Sequence, residues 1–310
     1  MPHKEIPGVD RSMTFDDCRD AYLRAHEGRW RHPKQNRKEW IRTLFTYVTP
    51  VFGSIPVQYV DSALVTKVLE PIWTNKTRTA INIQGRIKMV LDWATENGFR
   101  TGENPARWRG CLDRLLPALP KKIRKGERHP ALPHDQIGRF MHDLRGREGS
   151  SAAALEFLIL TAARPGQVIA ARWSEIDLTE QIWTIPADRV KRGTEHCVPL
   201  SKSALAVLKR MKGGGGDFVF PSREAGKPLG LTAPLIMLKR VSGSDITPEG
   251  FRRTFQDWAA ERTSFARKTV EMALAHVTRD EANDANNIRR SLLGERRRLM
   301  DTWADFCNDA

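Results

Sequence analysis

Residues 160–178 read LTAARPGQVIAARWSEIDL, the most informative stretch of the chain for its architecture. Arg164 stands at a turn after a helical run, a further helix follows, and WSEIDL at 173–178 indicates the start of a strand. Fourteen residues beyond Asp177 comes Lys191, in the turn of a predicted hairpin. This part of the chain therefore predicts a mixed helix and strand region with a cation at each of two turns.

The rest of the second half fits the same interpretation. Short β-like runs occupy residues 181–185, 197–200 and 218–220, and the first two flank Lys-Arg-Gly at 191–193, a hairpin-turn signature. Helices are predicted over 135–144 and 152–160, and again from Pro248 to the end of the chain.

The first half is predicted to be helical throughout. Thr14 caps the first helix, and Asp16 and Asp17 lie in its first turn, where the helix dipole favours anions. Asp61 caps a second helix that ends near Pro71, with Leu64, Val68 and Leu69 inward. A third helix runs over 75–97, with Trp93 on its apolar face and Gly98 at its end.

Residues 117–133, PALPKKIRKGERHPALP, break these patterns with four prolines and a cationic run. They indicate a linker. The expected organisation is a helical domain over 1–116, a basic linker over 117–133 and a mixed domain over 134–310. The fold class is mainly α with a small antiparallel β-sheet.

The composition favours a protein that binds nucleic acid and argues against a membrane protein or a disulfide-rich secreted protein. The 310 residues hold 51 Lys and Arg against 37 Asp and Glu, a net charge of +14, which favours nucleic acid as a partner over an incidentally basic enzyme. No apolar run is long enough to cross a bilayer and no secretory signal is visible. The four cysteines are scattered, as in reduced cytosolic proteins, so a disulfide scaffold and a zinc finger are not expected. We expect a cytoplasmic location, no membrane partner, no metal and no cofactor.

Further segments follow in order: ITPEGFRRTFQDWAAERT at 246–263, EMALAHVTRD at 271–280 and ERRRLMDTWADFC at 295–307. Together with residues 160–178 and the hairpin, they resemble the tyrosine recombinases, the phage integrase family, and most closely its prophage-type integrases. The segments LEPIWTNKTRTA and LDWATENGFRTGENPARWRG, at 69–80 and 91–110, resemble that group's core-binding domain. The resemblance implies a helical core-binding domain and a mixed α/β catalytic-type domain that clamp duplex DNA, with phosphoryl transfer to a tyrosine hydroxyl.

The resemblance also implies roles for individual residues. Arg164 and Arg252 match the two arginines that hold the scissile phosphate, since a planar guanidinium forks onto two phosphate oxygens. Lys191 matches the lysine that protonates the leaving 5′ oxygen, and His276 matches the family's second histidine. Taken singly, each could be a surface charge or a packed histidine.

Two positions depart from the family pattern. Glu249 stands where the family has its first histidine, and we expect its carboxylate to pair with Arg164 or Arg252. The nucleophilic tyrosine position falls on Asn286, or on Asn287 when counted from the other side, whereas all three tyrosines (Tyr22, Tyr47 and Tyr59) lie in the first half. An amide has no ionisable hydroxyl and cannot accept a phosphoryl group.

These departures predict a DNA-binding protein that does not cleave DNA and acts as a regulator or accessory factor of a mobile element. The alternative is an active integrase with another nucleophile: Ser291, Cys307 or a tyrosine of the first half. Only about a dozen residues precede Thr14, so we do not expect the extra amino-terminal arm-binding domain of many such integrases.

Three partners are predicted: double-stranded DNA, a second copy of the chain, and an active integrase of the same element. The second copy would exchange the terminal helix, whose apolar face carries Leu299, Met300, Trp303 and Phe306, although this face could equally pack on its own domain. Candidate phosphate contacts in the helical domain are Arg29, Arg31, Lys34, Lys38, Arg78, Arg86 and Lys88. Those in the linker are Lys121, Lys122, Arg124 and Lys125.

Overall fold

The computed structural model describes residues 13–30, 33–118, 129–190, 193–213, 216–224, 226–243, 245–276 and 292–309. Its contacts divide the chain into two compact units, Met1–Glu127 and Arg128–Ala310, hereafter the amino unit and the carboxyl unit. Each unit has its own hydrophobic core.

The described part of the amino unit is built from α-helices joined by short turns. The helices are α1 (Phe15–His26), α2 (Pro33–Tyr47), α3 (Ser62–Trp73) and α4 (Thr77–Glu96). The predicted caps are confirmed. Thr14 and Asp17 form a reciprocal capping box at the start of α1, and Asp61 accepts from the backbone N–H of Leu64 at the start of α3.

Helix α4 provides one side of the amino-unit core. Ile83, Ile87, Val90 and Leu91 are fully buried, as their helical spacing predicts. Trp93 is only half-buried and stacks on Phe99.

Helix α3 extends two residues past its predicted end. Trp73 anchors this last turn, because its indole stacks on Trp108 and donates a 2.9 Å hydrogen bond to the carbonyl of Pro117. Leu64, expected to point inward, is half-buried, and Val65 takes the core position.

The carboxyl unit is a helical assembly around a small sheet. Its helices are α5 (Ile137–Arg145), α6 (Ser150–Thr161), α7 (Pro165–Ile169), α8 (Lys202–Met211), α9 (Ala233–Ser242), α10 (Gly250–Arg262), α11 (Arg267–Ala273) and α12 (Leu293–Phe306). Its strands are β1 (Ile176–Asp177), β2 (Ile182–Ile185) and β3 (His196–Pro199).

The strands form an antiparallel sheet in the order β1-β2-β3, and Trp183 pairs with Ile176 on one side and Val198 on the other. This confirms the predicted hairpin and the fold class, mainly α with a small antiparallel sheet. The predicted strand at 218–220 is wrong. Phe218 makes one isolated bridge to Arg172, and the next two residues, Val219 and Phe220, are both buried. In an edge strand with one buried face, successive side chains would alternate between core and solvent. The segment therefore packs into the core and is not a strand of the sheet.

Helix α6 is the centre of this unit, since its residues from Ala152 onward are buried on every side. The carboxyl-terminal helix α12 packs on it: the Trp303 indole donates 2.8 Å to the carbonyl of Ile159, and its ring lies 4.9 Å from that of Trp258. The apolar face of α12, which was predicted either to bind a second copy or to pack on its own domain, is therefore covered within its own unit. Leu299, Met300 and Trp303 are each at most 1% exposed.

The end of the predicted linker packs against the carboxyl unit. The carbonyl of Pro130 accepts from the backbone N–H of Thr247 at 3.1 Å, and Leu132 joins the core. A Cβ at position 250 would lie 2.0 Å from the Pro130 oxygen, which explains the glycine of the GFR motif. Residues 119–128, and with them the basic centre of the linker, lie outside the described residues.

Within the described residues, no helix combines the length and apolar character that a bilayer crossing requires.

Candidate phosphate-binding site

Arg164 occupies a sharp break between two helices. Ala162 ends α6 in the left-handed conformation, with φ of 48°, and Pro165 starts α7. A residue before proline is disfavoured in the helical region, and Arg164 is accordingly extended, with φ −75° and ψ 142°. The Gln167 side-chain oxygen accepts from the Arg164 backbone N–H at 3.0 Å and fixes the turn.

Arg252 lies in the first turn of α10 and reaches the ends of two other helices. Its Nη1 donates to the carbonyl of Ala162 at 2.5 Å, and its Nη2 donates to the carbonyl of Leu274 at 2.6 Å. Carbonyls at a helix C-terminus have no partner within the helix and carry partial negative charge, so a guanidinium is well matched to them. Arg252 therefore fastens the end of α6 to the end of α11.

His276 is placed by the turn that ends α11. The N–H of Ala275 bonds to the carbonyl of Met272 at 3.0 Å, and the N–H of His276 bonds to that of Glu271 at 2.8 Å, the pattern of a Schellman motif. Ala275 takes the left-handed position, with φ of 52°, where glycine is usual. Two of the three described non-glycine residues with positive φ, Ala162 and Ala275, thus border this site.

Glu271, His276 and Arg252 form a chain of side-chain hydrogen bonds. His276 Nε2 lies 3.1 Å from Arg252 Nη2, and His276 Nδ1 lies 3.0 Å from Glu271 Oε2. Because a guanidinium can only donate, Nε2 is the acceptor, and Nδ1 carries the proton that is donated to Glu271. Burial, and then the charge of Arg252, lower the pKa of His276, while Glu271 opposes the shift.

The site concentrates positive charge. Burial, and then the nearby charge of Arg164, lower the pKa of Arg252 to about 9, so the guanidinium stays charged at neutral pH. Two guanidinium groups near enough for one to lower the pKa of the other repel each other, and an anion bound to either of them would reduce this repulsion.

Two further basic residues lie close to each other at the start of β3. Burial, and then the charges of Arg296, Arg252 and Arg164, lower the pKa of His196, the first residue of β3, to about 3. Arg296 is 2% exposed on α12 and donates through Nη2 to the carbonyl of Cys197. The sequence analysis missed both residues. For Arg296, a charged residue on the apolar side of the predicted terminal helix could have indicated a buried charge with a partner inside the unit.

A cavity of about 750 Å³ opens beside the site, with Arg252, His276, Glu271 and Glu249 among its lining residues. The predicted pairing of Glu249 with an arginine is wrong. Glu249 is exposed just before α10 and forms no ion pair within the described residues. The carboxylate that does enter the site is Glu271. The sequence analysis missed it, although an acidic residue five positions before a histidine was visible in EMALAH.

Several candidates lie outside the described residues: Lys191, Asn286, Asn287 and Ser291. Cys307 is fully buried, and burial raises the pKa of its thiol, so it is not available as a nucleophile.

The candidate phosphate contacts of the amino unit divide into two groups. Arg29, Lys34, Lys38 and Arg78 are exposed. Arg86 and Lys88 hold intramolecular partners: Arg86 pairs with Glu39 at 2.8 Å and covers the ring of Trp40, and Lys88 pairs with Asp92 at 2.5 Å. The other candidates, Arg31, Lys121, Lys122, Arg124 and Lys125, lie outside the described residues.

No group of three or more His, Cys, Asp or Glu that could hold a metal ion occurs in the part of the chain that the structure describes.

A helical amino unit, followed by a mixed unit in which two arginines and a histidine meet beside an antiparallel hairpin, is the architecture of a tyrosine recombinase. Residues 130–284 match the phage integrase family, and residues 15–111 match the phage integrase central domain. The chain belongs to the phage integrase family.

Individual relatives agree with this assignment. Prophage integrase IntA of Escherichia coli (strain K12) is 30% identical over 87% of this chain, which spans 64% of the length of IntA. The integrase of Enterobacteria phage P4 is 26% identical over 97% of this chain and 74% of its own length. The fold is shared with a lambda integrase fragment (75–356), crystallised as a dimer bound to a COC′ core site. The TM-score is 0.66, with 16% identity over 86% of this chain and 96% of that fragment.

Proposed function

We propose that this protein binds duplex DNA as an integrase-like protein but does not cleave it. In this proposal Arg164 and Arg252 grip a backbone phosphate, with Lys191 from the hairpin and His276 beside them. Residues 1–116 hold the other side of the duplex, and residues 117–133 connect the two domains.

The observation that carries the proposal is the absence of tyrosine from the sequence after Tyr59. The family's reaction needs a hydroxyl that attacks the phosphorus and forms a covalent link. Asn286 and Asn287, at the expected position, offer only amides, whose nitrogen lone pair is delocalised. Loss of a covalent nucleophile lowers an enzymatic rate by about a million-fold.

Charge and geometry support retained binding. The net charge of +14 favours a polyanion, and phosphate contacts supply most of the sequence-independent affinity for DNA. Three of the five guanidinium N–H groups of Arg252 bond to Ala162, Leu274 and His276, which leaves two without a partner among the described residues. The lambda integrase fragment that shares this fold was crystallised on its DNA site.

A protein that grips its site without cutting can repress a promoter or occupy a recombination site. The chain would therefore act as a transcriptional regulator of a mobile element, or as an accessory factor for an active integrase that uses the same sites. A second copy, by analogy with the lambda dimer, could bind the other half of a symmetric site.

The test uses the full chain. Genomic fragments that it retains at moderate salt are sequenced, and the shared segment is made as a nicked suicide substrate that traps any covalent intermediate. We expect retention of the duplex and no protein–DNA adduct on a denaturing gel. An adduct, or failure to retain any duplex, would contradict the proposal.

Restoring the tyrosine sharpens this test. Asn286→Tyr and Asn287→Tyr are made separately, each with a matched Phe substitution that has the ring but no hydroxyl. If the rest of the site is intact, one of the tyrosine variants forms the adduct and neither phenylalanine variant does.

A second candidate is an active recombinase with a different nucleophile. The retained cluster of Arg164, Arg252 and His276 favours it, as do the relatives that are named integrases. Ser291 is the candidate nucleophile, since Cys307 is buried. This candidate requires an adduct from the unaltered chain that Ser291→Ala abolishes.

A further inference from the structure

Glu271 bonds to His276 through both its backbone and its side chain. The carbonyl of Glu271 accepts from the backbone N–H of His276 at 2.8 Å, and Oε2 accepts from Nδ1 of the same residue at 3.0 Å. The first bond closes the turn at the end of α11, and the second sets the rotation of the ring. The imidazole is thereby held in one orientation, with Nε2 at 3.1 Å from Arg252 Nη2.

Two neighbours hold the carboxylate of Glu271 in place. Gln256, on α10, donates through Nε2 to Oε1 at 3.3 Å, and Arg267, at the start of α11, has its Nε 3.7 Å from the same oxygen. The Arg267 side chain is 91% exposed, so this ion pair contributes little on its own. Gln256 is therefore the main anchor of the carboxylate, and it joins Glu271 to the helix that also carries Arg252.

The partners of a neutral imidazole decide which nitrogen holds its single proton. Burial, and then the charge of Arg252, lower the pKa of His276, so the ring is neutral above pH 7. A carboxylate can only accept, and a guanidinium can only donate. Without Glu271 the proton would return to Nε2, where a free imidazole mostly carries it, and this N–H would face an N–H of Arg252. Two donors would then oppose each other.

We propose that Glu271 is a positioning residue of the phosphate site, which keeps the ring proton of His276 on Nδ1 so that Nε2 accepts from Arg252. The guanidinium is then bonded to two backbone carbonyls and to His276, which fixes its orientation before DNA arrives. A donor that is already oriented loses less entropy on binding. The inference rests on the proposed function, because the site that Glu271 orders is the proposed phosphate grip.

The sign of the effect on DNA binding separates this role from a simple charge effect. Glu271 and Arg252 line the same cavity, so the carboxylate repels a phosphate that Arg252 binds, and its removal alone should tighten binding. Loss of the oriented acceptor should instead weaken binding. A net weakening on removal of a negative charge therefore indicates the positioning role.

The experiment measures binding of the full chain to a generic 30-base-pair duplex at pH 7.5 across a series of salt concentrations. Glu271→Leu removes the acceptor but remains a good helix former, and Glu271→Gln keeps an acceptor oxygen without the charge. Glu261→Leu is the matched control, because it breaks another histidine–carboxylate bond of the same unit, the 2.8 Å bond to His134. Arg252→Ala, His276→Ala and the double variant of His276→Ala with Glu271→Leu complete the set.

We expect Arg252→Ala to weaken binding about tenfold and to reduce the salt slope by about one. Glu271→Leu should weaken binding about threefold, Glu271→Gln should restore most of the loss, and Glu261→Leu should not weaken it. In the His276→Ala background, Glu271→Leu should cause no further loss, because the carboxylate acts through that histidine.

Imidazole ¹⁵N spectra at pH 7.5 test the position of the proton directly. The histidine signal that is lost in His276→Ala should show the proton on Nδ1 in the unaltered protein and in Glu271→Gln, and on Nε2 in Glu271→Leu. A loss of stability alone would not move a proton between the two nitrogens. The spectrum of the unaltered protein also decides the matter if the leucine variant fails to fold, since a proton on Nε2 would overturn the inference.

The outcomes separate the two claims. If Arg252→Ala leaves affinity and salt slope unchanged, the proposed phosphate grip is wrong. If Arg252→Ala weakens binding but Glu271→Leu leaves it unchanged or tightens it, or if Glu271→Gln restores nothing, only the role of Glu271 is wrong.

Discussion

Arg252 Nη2 and His276 Nε2 lie 3.1 Å apart, and the same guanidinium bonds to the carbonyls that end α6 and α11. The Arg252 side chain thus joins the ends of two helices to His276, which in turn bonds to the carboxylate of Glu271. Arg252, the residue proposed to bind the phosphate, therefore also stabilises the fold of the carboxyl unit. Its substitution should weaken DNA binding and lower stability together.

Arg252→Lys should lower the free energy of unfolding by about 2–3 kcal/mol, since a single ammonium cannot reach both carbonyls in the same geometry and a buried acceptor loses its partner. Urea denaturation measures the free energy of unfolding of this variant and of a control. Arg253→Lys is the control, because the pair that Arg253 makes within the described residues, with Asp257, is exposed to solvent; this variant should cost about 0.5 kcal/mol or less. Equal losses in the two variants would refute the capping role of Arg252.

Stability should fall as the solution is acidified from pH 7 to pH 5. The pKa of His196 is lowered from 6.5 to about 3 in the folded protein, so below pH 6.5 the unfolded chain takes up a proton that the folded chain excludes. Each pH unit then lowers the free energy of unfolding by about 1.4 kcal/mol for this one group. His196→Asn removes the group, and its stability between pH 7 and pH 5 should decline less steeply in urea titrations. Parallel pH profiles would contradict the burial of a neutral imidazole.

Ala275→Gly should stabilise the fold by about 0.5–1 kcal/mol. The left-handed φ of 52° is strained for alanine and free of strain for glycine, a gain partly offset by the greater entropy of glycine in the unfolded chain. Thermal and urea unfolding measure the change. Ala260→Gly, at an exposed position within α10, should instead destabilise by about 1 kcal/mol. The prediction fails if both substitutions destabilise alike.

Gly250→Ala should destabilise the carboxyl unit by about 2–3 kcal/mol, because the new methyl group would lie 2.0 Å from the Pro130 oxygen and force the backbone apart. Gly166→Ala is the control in the same unit. A Cβ there meets nothing within 4 Å, so that variant should be neutral or slightly more stable. The two are compared by urea denaturation, and a tolerated Gly250→Ala would show that residues 129–133 do not pack tightly against α10.

The sequence predicted most of what depends on neighbours along the chain. The cap at Thr14, the cap at Asp61 and the β2–β3 hairpin were all visible, because caps, turns and alternating burial are set by residues a few positions apart. Residues 218–220 show the limit of such reasoning. An apolar run of three does not reveal whether it pairs with a strand or fills a core.

By itself, then, the sequence determined the family and showed that no tyrosine follows Tyr59. It also singled out Arg164, Arg252 and His276 as candidate site residues, since such candidates depend on residue identity and order. Only the tertiary structure decided which charges meet. It placed Glu271 on His276, left Glu249 without an ion pair among the described residues, and bonded Arg296 to the carbonyl of Cys197. The physical reason is that a guanidinium bonds to whatever acceptors the folded backbone presents. Here those acceptors are carbonyls at the ends of helices that are far apart in sequence.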